Sequence, residues 1–150
     1  MLFIAFLVFV TVAAGAVLGA KDPRADLLPR VYQNTTCAQT DDNRIEGASS
    51  DVIDEVIKVL KNSTEQCNQD PSATTCQSLY CKDNARVLWC NVGTQTISMQ
   101  CADFAAYLWA VRHDCSHRYP NTDFTGVWGR ATDDDGFYLQ VQGEPMNCYF

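Results

Sequence analysis

The sequence predicts an α+β fold: a two-layer sandwich of two helices on a mostly antiparallel sheet, stapled by disulfides. Three observations predict it. Residues 49–62 and 99–115 repeat apolar side chains at helical spacing. Residues 85–92, 126–132 and 137–142 are rich in β-branched and aromatic residues or alternate in polarity. All eight cysteines lie beyond position 36, behind an apolar leader.

The leader, MLFIAFLVFVTVAAGAVLGA (residues 1–20), contains one polar residue, Thr11, and no charge. Its most apolar part gives way to small residues and then to a charged segment, which is the pattern of a cleaved signal peptide. The run is also near the ~20 residues a spanning helix needs, so an uncleaved anchor is the alternative. Residues 21–30, KDPRADLLPR, carry two prolines and mixed charge with no helical or strand period. They read as a pro-segment or flexible arm, and residues 27–30 resemble the Leu-x-x-Arg sites cut by fungal secretory processing proteases. Residues 31–150 are the length of one domain.

Cys37, Cys67, Cys76, Cys81, Cys90, Cys101, Cys115 and Cys148 are even in number and follow a signal peptide, so a disulfide framework in an oxidising compartment is expected. Two glycosylation sequons, Asn34-Thr35-Thr36 and Asn62-Ser63-Thr64, agree with secretion. The formal charge of -7 disfavours nucleic acid and anionic membrane, both of which reward clustered Lys and Arg. The expectation is an extracellular monomer with no membrane insertion after signal cleavage.

In chain order, residues 31–37 alternate weakly and suggest a first strand. In residues 49–62, Val52, Ile53, Val56, Ile57 and Leu60 form one apolar stripe; Ser50 or Asp51 can cap the start, and Asp51, Asp54 and Glu55 suit its positive end. Residues 64–82 read as a turn-rich loop holding three cysteines. In residues 85–92, ARVLWCNV, Leu88 and Cys90 share one strand face, and a short strand over 94–97 follows. Ser98 is positioned to cap a second helix over 99–115, whose stripe is Cys101, Phe104, Ala105, Leu108, Val111 and Cys115. Strands over 126–132 and 137–142 flank an Asp133-Asp134-Asp135-Gly136 turn, with Phe137, Leu139 and Val141 inward.

The stretch RHDCSH, residues 112–117, invites a chemical reading. Cys101 and Cys115 stand on nearly the same helix face but ~21 Å apart along the axis. Bridged Cα atoms lie within ~7 Å, so each cysteine needs its own partner off the helix. A nucleophilic Cys115 would require a thiolate and a base in a protected setting, against the oxidising compartment. His113 and His117 have a zinc-ligand spacing without the Glu of the His-Glu-x-x-His pattern, and His117 lies just before Pro120, past the expected helix end. Two histidines in one turn are a poor start for a hydrolase or ribonuclease site. The Asp133–Asp135 run lacks calcium-loop spacing and reads as a hairpin turn. No cofactor, metal or catalytic residue is therefore expected. Among the aromatics, Trp128 and Tyr138 stand out, because both should lie on the last hairpin's face opposite its apolar alternation.

The layout from Cys37 to Cys148 resembles the small secreted fungal proteins grouped with the smut killer toxins and the necrosis-inducing extracellular effectors. The resemblance lies in an N-terminal Cys strand, a helix leading to Cys67, the strand ARVLWCN, a C-x13-C helix closing as VRHDC, and the hairpin GFYLQVQGEPMNC. It implies a killer-toxin-like α/β sandwich without cofactor, and a role as an extracellular toxin or host-directed effector. The killer toxins block ion channels through exposed basic residues near the central strand; here that region offers only Lys82 and Arg86.

The favoured reading is a secreted, non-enzymatic effector or toxin-like protein that binds a host or competitor protein outside the producing cell, for example in a host apoplast. The alternative is a cell-wall carbohydrate-binding protein or weak hydrolase that uses exposed aromatics.

Overall fold

The computed structural model describes residues 32–38, 47–72 and 74–143. The expected signal peptide, the arm at 21–30 and Cys148 lie outside them. The chain forms β1 (Tyr32–Cys37), β2 (Ala48–Ser49), α1 (Ser50–Lys61), β3 (Gln66–Gln69), β4 (Gln77–Lys82), β5 (Ala85–Asn91) and β6 (Ile97–Gln100). A 3-10 turn (Cys101–Asp103) leads into α2 (Phe104–Asp114), followed by β7 (Ser116–Arg118), β8 (Thr125–Val127), β9 (Gly129–Asp133) and β10 (Phe137–Gly143). Mixed helix and antiparallel sheet are thus present, but the strands divide among three sheets. Their orders are β1-β9-β10-β5-β4, β2-β8-β7 and β3-β6.

The first helix follows the sequence closely. Ile53 and Val56 are buried, and Val52, Ile57 and Leu60 pack partly against the core. Its N-cap is Ser49, whose side chain makes no capping bond, rather than Ser50 or Asp51. The second helix departs further. Met99 belongs to β6, Ser98 is an exposed strand residue, and α-helix begins only at Phe104. The reason is pairing: Cys67 registers with Met99 and Asn68 with Ser98, so β3 captures this segment as strand before the helix can start. Once begun, α2 packs against α1 and against β1, β9 and β10, and seven of its eleven residues are buried.

The expected loop over 64–82 also contains β4, whose order depends on β5. The β4–β5 hairpin closes through Asp83 and Asn84, both with positive φ (49° and 64°), the backbone that a tight two-residue hairpin turn requires. On β5 the face carrying Ala85, Val87 and Trp89 is the core face, whereas Leu88 is half-buried on the other. Cys90 shares that outer face and is buried beside its disulfide partner Cys76. On β10, Phe137, Leu139 and Val141 are fully buried and alternate with half-buried Tyr138, Gln140 and Gln142.

The core joins these faces around an aromatic cluster. Trp89 and Phe104 have ring centroids 4.7 Å apart, and Tyr107 and Phe137 5.4 Å. Both spacings lie in the favourable range for tilted aromatic pairs. The expected strand over 126–132 breaks at Trp128, and β8 and β9 fall in different sheets.

Three disulfides form among the described residues: Cys37–Cys115, Cys67–Cys101 and Cys76–Cys90. Cys81 is also disulfide-bonded. Cys101 and Cys115 reach separate partners, as the helix-length argument requires. Cys115 Sγ packs directly over Gly129, where an added Cβ would meet that sulfur at 2.6 Å and the Thr36 carbonyl oxygen at 2.8 Å.

Gly129→Ala is therefore expected to destabilise the fold by about 1–3 kcal/mol, the range for overpacking a filled site. Removing the bridge with Cys37→Ala/Cys115→Ala should cost about 2–5 kcal/mol, because the loop it closes is long. Urea unfolding midpoints measure both. An unchanged midpoint in Gly129→Ala would show that the bridge yields freely at this contact.

Candidate functional site

The RHDCSH stretch is a structural junction. The α-helix ends at Asp114, Cys115 N–H donates to the Val111 carbonyl at 2.9 Å, and Ser116 already begins β7. Arg112 pairs with Asp54 of α1 at 3.1 Å and donates to Ser116 Oγ at 2.9 Å. Asp114 accepts a 2.8 Å bond from Thr35 Oγ1 of β1, beside the Cys37–Cys115 bridge. His113 stacks on Trp109 and lies 2.8 Å from Asp114 Oδ1. His117 sits on β7, edge-on to Tyr119. The two imidazoles thus belong to different elements, so their sequence spacing is not a spacing on one helix. No group of three or more metal-ligating side chains occurs among the described residues.

The Asp133–Asp135 run is likewise a turn. Asp133 is buried; its Oδ2 accepts the Tyr107 hydroxyl and its Oδ1 the Asp135 N–H at 2.9 Å. The Gly136 N–H closes the turn on the Asp133 carbonyl at 3.3 Å, with φ of 83° at Gly136. One carboxylate of the run therefore points into the protein. Asn91 plays a similar role: fully buried, it donates to the Gln69 and Gln95 carbonyls, both at 2.9 Å, and accepts from Gly93 N–H at 3.1 Å.

The outer face of the five-stranded sheet has the most recognition chemistry. Register places Asn34, Thr132, Tyr138 and Cys90 in one row across β1, β9, β10 and β5. The adjacent row is Thr36, Arg130, Gln140, Leu88 and Ser78. Tyr138 therefore sits near the middle of this face, with the Arg130 guanidinium 5.5 Å from its ring centroid. Such a stacked cation is worth about 0.5–1 kcal/mol at an exposed site. Trp128, at the break between β8 and β9, is half-buried and its carbonyl accepts the Ala38 N–H at 3.0 Å. With Thr36, Arg130 and Gln140 it lines an open groove of about 200 Å³. Arg130 and Gln140 were legible as outward residues by alternation with Ala131 and Leu139. Their meeting with Thr36 was not, because nothing local pairs β1 with β9.

Both sequon asparagines are exposed, Asn34 on β1 and Asn62 at the end of α1. Of the two cations that the resemblance brings forward, Lys82 lies 3.2 Å from Asp83 in an exposed pair. The hydrogen bond and charge of Asp83 raise the Lys82 pKa, so this cation faces the solvent already partnered. Arg86 is half-buried on β5. No helix among the described residues is long and apolar enough to cross a membrane.

Burial is the main cause that raises the Tyr80 phenol above its ordinary pKa of 10.0; Lys82 opposes the rise, and Glu55 and Asp83 add to it. The folded pKa exceeds the unfolded one, so the folded state holds the proton more tightly. This stability is present below the unfolded pKa and is lost as pH rises through the folded one. Tyr80→Phe should therefore lose less thermal stability than the parent as pH rises above about 10, the ordinary phenol value. Separately, Tyr107→Phe, which strips a donor from the buried Asp133 carboxylate, should cost about 1–3 kcal/mol in denaturant unfolding. A loss below about 0.5 kcal/mol would show that Asp133 is adequately held by its turn.

No family model, curated protein or solved structure matches this chain.

Proposed function

We propose that this protein is a secreted, non-enzymatic effector or toxin-like protein that acts by binding a host or competitor protein outside the producing cell. In this reading its helices and sheets are the two layers of a killer-toxin-like sandwich, and its exposed asparagines carry glycans. The reading is supported by the disulfides, which are typical of extracellular proteins. The observation that carries it is the outer sheet face, where Tyr138, with the Arg130 guanidinium against its ring, is displayed near the middle of a sheet whose edge strand β1 is cross-linked to the end of the buried helix and whose strand β5 is cross-linked to the residue preceding β4. Aromatic and arginine side chains held on a rigid frame lose little entropy on docking and are the commonest carriers of binding energy. The partnered Lys82 favours a docking face of this kind over a channel-blocking cation.

The test is saturable binding of the labelled, secreted protein to the surface of intact target cells. Binding should be abolished by protease treatment of the cells and weakened about tenfold or more by Tyr138→Ala. Retention on insoluble chitin or glucan, lost in Trp128→Ala, would instead support a wall-carbohydrate binder and overturn the protein-binding reading.

A further inference from the structure

We infer that the groove lined by Thr36, Trp128, Arg130 and Gln140 is the seat of the protein's own N-linked glycan, attached at Asn34, with its proximal N-acetylglucosamine units lying along it. The inference rests on the proposal that the chain is secreted. It begins with the sequon Asn34-Thr35-Thr36, which lies within β1, an edge strand of the five-stranded sheet. Alternate residues of a strand face opposite ways. Thr35 and Cys37 turn toward the helix layer, where Thr35 bonds Asp114 and Cys37 bridges Cys115. Asn34 and Thr36 therefore face outward, and Asn34 is exposed.

Register supplies the distances. Asn34 lies opposite Thr132, and Thr132 opposite Tyr138, so Asn34 is about 5 Å from the first and about 10 Å from the second in the sheet direction. Thr36 stands about 7 Å along the strand from Asn34, opposite Arg130, which is opposite Gln140. The groove thus opens about one residue pair from the attachment atom. A disaccharide core fixed at Asn34 Nδ2 reaches it without any rearrangement of the sheet.

The lining suits an uncharged amino sugar. A pyranose ring offers an apolar face and a rim of hydroxyl and acetamide groups. Trp128 offers a half-buried indole, large and apolar with one polar tip. Thr36 and Gln140 can both donate and accept, and Arg130 adds donors. The Arg130 charge is already directed at the Tyr138 ring, which fits a neutral ligand better than an anion.

The covalent step is ordinary secretory chemistry. A lipid-linked oligosaccharyl pyrophosphate donates its sugar, so that the bond from sugar C1 to Asn34 Nδ2 forms. The bond from C1 to the pyrophosphate oxygen breaks, one Nδ2 proton is lost, and the lipid pyrophosphate departs. The seated glycan covers Trp128 and leaves the Tyr138 side of the face for a protein partner. Asn62 supplies a contrast: its Nδ2 donates to the Lys58 carbonyl at 2.9 Å at the end of α1, and its sequon lies outside this face.

The test uses the full chain secreted from a eukaryotic host, with glycan occupancy read by peptide mass spectrometry. Hydroxyl-radical footprinting then reports the exposure of each tryptophan separately. With Asn34 occupied, Trp128 should be oxidised less than in Asn34→Gln, and enzymatic removal of the glycan should abolish that protection. Trp109 should be unaffected, and Asn62→Gln should change neither. Equal oxidation of Trp128 with and without the Asn34 glycan, or an unmodified Asn34 in exported protein whose Asn62 is occupied, would overturn the inference. Retention inside the cell with both sequons unmodified would overturn the secretion proposal, and this inference with it.

Discussion

A single cross-link, Cys37 to Cys115, holds together the edge strand β1, the end of the buried helix α2 and, by contact, the strand β9. These segments are remote in sequence, separated by 78 residues across the bridge, and each is weak alone. β1 has one strand neighbour, and α2 is buried on so many of its residues that it cannot be stable outside its packing. The bridge lies so close to β9 that Gly129 is the residue that lets sulfur and strand approach. Cys67–Cys101 performs the same service at the other end, fixing the entrance of α2 to β3. A helix pinned at both ends and packed against α1 and the sheet in between has little freedom left. The outer sheet face inherits that rigidity.

Buried polar groups set the details that apolar packing leaves open. Asn91 is enclosed yet satisfied by three backbone partners, and it sits where the chain leaves β5 for the two-stranded sheet. Asp133 does the equivalent at the β9–β10 turn, with the Tyr107 hydroxyl and its own turn N–H as partners. Each would be costly if a partner were lost, because a buried polar atom without a hydrogen bond retains its full desolvation penalty. Alternative registers of these turns are disfavoured for that reason.

The same division of labour explains why the functional reading centres on the sheet rather than on RHDCSH. The side chains of that stretch are engaged structurally: Arg112 with Asp54, Ser116 with Arg112, Asp114 with Thr35, Cys115 with Cys37, and His113 and His117 with neighbouring rings. The outer face instead presents Arg130, Gln140, Trp128 and Tyr138 beside an open groove.

Local periodicity was enough to reveal α1, the core face of β10 and the Asp133–Gly136 turn, because their side-chain spacing repeats within the element itself. The impossibility of a Cys101–Cys115 bond was equally legible, since a helix filling most of the interval holds its two flanks too far apart to bridge. Other features were settled only by the tertiary structure. Residues 97–100 became strand because β3 lies alongside, and β4 ordered because β5 does. Residues 126–132 split because Val127 pairs with Ala48 and Ser116 while Gly129 pairs with Cys37 and Val141. The groove at Trp128 exists because β1 meets β9 across most of the chain. A sequence determines which residues prefer helix, strand or turn from their neighbours a few positions away. The choice of strand partner and of disulfide partner depends on contacts between distant segments, and those energies exist only once the core has closed.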